Sequence, residues 1–112
     1  MKEDLLKIIS NYGTINQLKK LNEECYELIE AIRDYESTDY EPYTDSIEER
    51  SISEEEQKEW LKEHIIEEFA DVCVMLHQFK EYYDIKPFEI YNVMEQKIKR
   101  QLDRMKEKNN EK

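Results

Sequence analysis

Residues 14–35 read TINQLKKLNEECYELIEAIRDY, and the fold turns on this run. Leu18, Leu21, Cys25, Leu28 and Ile32 recur at steps of three and four, the period of a helix with one apolar stripe. Upstream, Leu5, Leu6, Ile9 and Tyr12 predict a short first helix. Gly13 ends it, because glycine accepts the left-handed conformation past a helix. Thr14 with Gln17 reads as a capping box that opens the second helix, which runs to about Tyr35. Downstream, residues 37–52 (STDYEPYTDSIEERSI) lose the period and carry Pro42, so a surface loop is expected. Ser53 with Glu56 is a second capping box. The long third helix it opens has the stripe Leu61, Ile65, Phe69, Val72, Cys73, Leu76 and Phe79. Asp84 to Pro87 breaks the chain, and Pro87 suits the first turn of a fourth helix striped by Tyr91, Met94, Ile98, Leu102 and Met105. The tail 107–112 is expected to fray. The expected fold is all-α: a four-helix bundle in a single domain over residues 1–106.

The chain has 112 residues, 40% of them charged, with 28 acids against 17 Lys and Arg and a formal charge of −11. A core drawn from 38% hydrophobic residues is small, so the bundle gains if dimerisation completes it. The charge disfavours nucleic acid and anionic membranes as partners. It does not exclude a phosphate substrate if divalent cations stand between the carboxylates and the anion. With no long apolar run and no signal-peptide pattern, a cytoplasmic location is expected. Cys25 and Cys73 lack metal-type spacing and read as buried thiols without a disulfide.

Two segments share a pattern. Glu23-Glu24-Cys25-Tyr26-Glu27-Leu28 and Glu67-Glu68-Phe69-Ala70-Asp71-Val72 each give two acids, two intervening residues, a third acid and an apolar residue. With Cys25 and Phe69 as stripe centres, Glu24 and Glu68 fall about 100° to one side, and Glu27 and Asp71 about 160° to the same side. Each pair has i, i+3 spacing, so its carboxylates are neighbours. If the helices pack through their stripes, the four acids converge and repel, and a hard divalent cation is the usual remedy. Oxygen-only ligands favour Mg²⁺ or Mn²⁺ over zinc. Lys97, Arg100 and Arg104 flank the stripe of the fourth helix in the same sense, as cations suited to phosphate oxygens.

Taken singly, each motif also describes the solvated face of an ordinary amphipathic helix. Glu23 and Glu67 are expected to face solvent. His64 and His77 read as surface or boundary residues, with His64 one turn from Glu68. Neither has Glu three residues before it, so a ferritin-like di-iron site is excluded. Tyr40 and Tyr43 in the acidic loop are weak candidates for stacking on a base.

The stretch from Asn16-Gln17-Leu18 through Leu21-Asn22-Glu23-Glu24-Cys25-Tyr26-Glu27-Leu28-Ile29-Glu30-Ala31 resembles the first motif of MazG-like nucleotide pyrophosphohydrolases. Ile66-Glu67-Glu68-Phe69-Ala70-Asp71-Val72 resembles the second, and Lys97-Ile98-Lys99-Arg100 with Arg104 is similar to the basic segment of phage and prophage members. The resemblance spans roughly residues 15–105. It implies an all-α pyrophosphohydrolase, working as a homodimer or homotetramer, that cleaves a nucleoside triphosphate to the monophosphate and pyrophosphate. It implies Mg²⁺ on Glu24, Glu27, Glu68 and Asp71, which are also the catalytic set, and phosphate contacts from Lys97, Arg100 and Arg104. Two features depart from the family. The spacing from Glu27 to Glu68 is longer than in MazG itself, and Gln101 stands where several relatives have Asn. The rival readings are a non-enzymatic acidic helical interaction module and a phosphoribosyl-ATP pyrophosphohydrolase.

Overall fold

The computed structural model describes residues 1–37 and 53–110, and these form four helices. They are α1 (Lys2–Tyr12), α2 (Thr14–Glu36), α3 (Glu54–Tyr82) and α4 (Pro87–Asn110). The expected loop lies outside the described residues apart from Ser37, as do Tyr40 and Tyr43. No described helix is long and apolar enough to cross a membrane.

The helix ends show where local reading worked and where it did not. Ser53 caps α3, its Oγ accepting from the Glu56 N–H at 3.1 Å. Pro87 is the first residue of α4. Thr14, by contrast, is already helical; Gly13 is the N-cap and no side chain caps α2. The predicted box fails because Gln17 turns inward and donates to Gln78 Oε1 at 2.8 Å. Gly13 has φ 88° and ψ 151°, not the left-handed helical geometry expected of it. That region is essentially closed to residues with a Cβ, so glycine is still required. The α4 helix runs to Asn110.

The principal packing is between α2 and α3, and α1 lies across α3 with a smaller contact on α2. Gln17 meets Gln78 while Glu24 meets Glu68 and Asp71, so α2 and α3 run antiparallel. The seam is not centred on the expected stripes. On α2 the buried residues are Gln17, Glu24 and Ala31, seven apart, with half-buried Leu21 and Leu28 between them. On α3 they are Leu61, Val72, Met75 and Gln78. The seams are rotated from the stripe centres toward the acids, by roughly 80° on α2 and 110° on α3. Leu18, Ile29, Ile32, Ile66, Phe69 and Leu76 are consequently exposed. Cys25 and Cys73 are free thiols but half-buried, a correction with the same cause.

The α4 helix stands apart. Its side chains from Pro87 to Asn109 are exposed, including the whole predicted stripe from Tyr91 to Met105. The radius of gyration is 19.6 Å, against about 13 Å for a compact domain of this length. Within the chain, then, three helices pack and the fourth projects.

Candidate metal centre

The rotation of the seam places the acids. At about 100° from the stripe centre, Glu24 and Glu68 fall inside the α2–α3 contact; at about 160°, Glu27 and Asp71 fall at its edge. Burial follows that order: Glu24 is 6% exposed, Glu68 is half-buried, and Glu27 and Asp71 are exposed. Glu24, Glu68 and Asp71 each offer a carboxylate oxygen within 4.8 Å of the others. Glu27 is not one of the three, but it lies close enough for the charges of Glu24 and Glu68 to act on its carboxyl. The structure thus groups three of the four acids singled out from the sequence, Glu24, Glu68 and Asp71, with Glu27 beside them on the exposed side. Glu23 and Glu67 point to solvent, as expected.

The cluster is electrostatically unfinished. Glu24 Oε2 and Glu68 Oε2 are buried and have no hydrogen-bond partner among the described residues. A buried carboxylate oxygen without a partner is costly, because it has lost water and gained nothing in exchange. The Glu24 carboxylate beside it pushes the Glu27 carboxyl above its ordinary 4.5, with desolvation and Glu68 adding to the effect and Lys20 opposing it.

Among the described residues, Lys20 is the cation that pairs with Glu24. Lys20 Nζ lies 3.1 Å from Glu24 Oε1, one turn along α2, and the hydrogen bond and charge of Glu24 raise the Lys20 ammonium above its usual value. The sequence reading missed Lys20, although its i, i+4 spacing to Glu24 was a usable signal. His64 Nδ1 is 4.0 Å from Glu68 Oε1, an ion pair only when the imidazole is protonated, and its ring stacks on Trp60 at 6.2 Å. Lys97, Arg100 and Arg104 are exposed on α4 and form no ion pair among the described residues. The chain itself does not bring them to the acids.

The donor set suits a hard divalent cation. It offers carboxylate oxygens only, from two helices, and two of them lack any other partner. Fold and site together define an all-helical protein with a cluster of three carboxylates, Glu24, Glu68 and Asp71, between antiparallel helices. No family model matches the chain, and no curated protein or solved structure matches it.

Proposed function

We propose that the protein is a cytoplasmic, magnesium-dependent pyrophosphohydrolase of the MazG-like kind, converting a nucleoside triphosphate to the monophosphate and pyrophosphate. The observation that carries this reading is the pair of buried, unpartnered oxygens on Glu24 and Glu68, flanked by Glu27 and Asp71. A purely structural interface would not leave two carboxylates facing each other without donors.

Glu24, Glu27, Glu68 and Asp71 would hold Mg²⁺, with Mn²⁺ as a substitute. When bound, the cation supplies Lewis-acid polarisation of phosphate oxygens and lowers the pKa of water. Water attacks the α-phosphorus, the bond from that phosphorus to the bridging oxygen breaks, and pyrophosphate leaves. A carboxylate of the cluster, Glu24 by preference, orients the water or takes its proton and returns it to solvent. Lys20 holds Glu24 in place from one turn away. Lys97, Arg100 and Arg104 bind phosphate oxygens from α4 of a second copy. The proposed assembly is a homodimer or homotetramer that covers the open apolar faces of α2, α3 and α4.

The test is a panel of ribo- and deoxyribonucleoside triphosphates with Mg²⁺, read by pyrophosphate release. Turnover with Mg²⁺ or Mn²⁺, and none after chelation, is the expected result. A non-enzymatic acidic module, which the open apolar faces would also suit, releases no pyrophosphate under any condition. Product analysis on phosphoribosyl-ATP separates the related biosynthetic activity.

A further inference from the structure

A second feature sits two turns from the acids on the same two helix faces. A cleft of about 560 Å³ opens between α1, α2 and α3, within the size range of small-molecule sites. Tyr12, Lys20, Val74 and Met75 line its walls, and the Gln17–Gln78 pair lies at its base. Gln17 is 6% and Gln78 1% exposed, both in a seam where leucine would pack without polar cost. Their hydrogen-bonding capacity is not used up. Gln17 Nε2 donates to Gln78 Oε1, while Gln17 Oε1 has no protein donor among the described residues and is not among their buried unpartnered atoms, so it opens to solvent. Gln78 Nε2 has only the Met75 thioether, at 3.5 Å, which is a weak acceptor. An unused acceptor and a poorly used donor therefore lie side by side under an open cleft.

The position matters as much as the chemistry. Gln17 precedes Glu24 by seven residues on α2, and Gln78 follows Asp71 by seven on antiparallel α3, a rise of about 10 Å in each case. Lys20 stands between, lining the cleft and bound to Glu24. A ligand with phosphates on the acid cluster would extend its other end into this cleft. Asn16 and Lys20, which line it, lie on the flank of α2 turned away from the exposed arc of Leu18 and Ile29, so a second copy seated on that arc leaves the cleft open.

We propose that this cleft is a nucleobase subsite, in which Gln17 Oε1 and Gln78 Nε2 pair with the donor and acceptor edge of the base and the Tyr12 ring covers its face. This rests on the nucleotide reading of the acid cluster and adds to it a source of base selectivity. A site built to hydrogen-bond a ligand rejects one that lacks the matching groups, because a bound base then strips these amide atoms of water and offers no partner in exchange.

The test compares wild type with Gln17→Leu/Gln78→Leu, a swap of similar volume that removes both partners together. Measured with Mg²⁺, the wild-type kcat/KM should differ at least tenfold between the best and worst bases. In the double variant that ratio should collapse toward one. Tyr12→Ala, on the rim and outside the α2–α3 seam, should raise KM for all bases and leave inorganic triphosphate binding unchanged. An unchanged preference in the double variant, or no preference in wild type, overturns the subsite. Failure of wild type to release pyrophosphate from any nucleotide overturns the proposed function instead. The subsite is then decided by NMR on ¹⁵N-labelled protein: the side-chain amide signals of Gln17 and Gln78 should shift with nucleoside triphosphates and stay fixed with inorganic triphosphate. Signals unmoved by every nucleotide overturn it.

Discussion

Glu24 shows how one residue can be costly to the fold and useful to the site. It occupies a seam position where an apolar side chain would be the stable choice, and only one of its oxygens is paired, by Lys20. Metal-ligand removal is the direct probe. Glu68→Gln or Asp71→Asn should lower kcat/KM more than roughly a hundredfold, since even outer partners of a metal site cost 10–100-fold. Isothermal titration with Mg²⁺ should show weakened binding, and far-UV circular dichroism should show unchanged helicity; undiminished turnover in either variant would refute the assignment. A pH dependence follows from Glu27. Its folded-state pKa is raised, chiefly by Glu24, so the folded protein holds this proton more tightly than the unfolded chain does. The stabilising contribution is complete below the ordinary 4.5 and is lost as pH rises through the raised value. Thermal melts of metal-free protein should accordingly lose stability across that window, and Glu27→Gln should flatten the loss.

At the scale of the helix, two ends bear on how α2 and α3 are delivered to each other. A single residue, Gly13, joins α1 to α2 with φ 88° and ψ 151°, and a Cβ there meets no atom within 4 Å. The penalty for Gly13→Ala is thus conformational and not steric, on the order of 1–3 kcal/mol by denaturant unfolding. Ser53→Ala removes the one side-chain cap of α3 and should cost about 1 kcal/mol in the same measurement. Both changes lie away from the acids, so activity of the folded fraction should be retained. At the other end of α3, Asp84 at φ 53° and its ion pair with Lys86 at 2.9 Å turn the chain into α4. Glu89 there accepts from the Lys86 backbone N–H at 2.8 Å.

The whole molecule is governed by apolar surface that the monomer leaves open. Phe69 and Leu76 on α3, Leu18 and Ile32 on α2, and the full stripe of α4 are exposed together. Contiguous apolar area of this kind marks an interaction site. The proposed occupant is a second copy of the chain, whose α4 is basic where the α2–α3 unit is acidic. Sedimentation equilibrium should find a dimer or tetramer at micromolar concentration. Phe69→Glu and Ile98→Glu, each placing a charge in such a face, should shift it toward monomer and lower activity with it. A monomeric wild type that is fully active would remove the assembly from the proposal.

What local pattern could determine, it determined. Four helices, the breaks at Gly13 and near Pro87, the Ser53 cap and the convergence of Glu24, Glu68 and Asp71 all rest on spacing and on short-range chemistry. The acids were legible because two i, i+3 pairs with the same offset from their stripes can meet when those helices pack antiparallel, in the register that the Gln17–Gln78 pair fixes. Tertiary structure decided the rotation of the seam, the inward turn of Gln17, the polar base of the cleft and the isolation of α4. An apolar stripe fixes which side of a helix avoids water but not which partner covers it. Here the arc is wider than one neighbour can cover, so α2 and α3 meet along its acidic edge and leave the remainder outside. That division depends on contacts between residues some 60 apart in the chain, as in the pairing of Gln17 with Gln78, which no local period encodes.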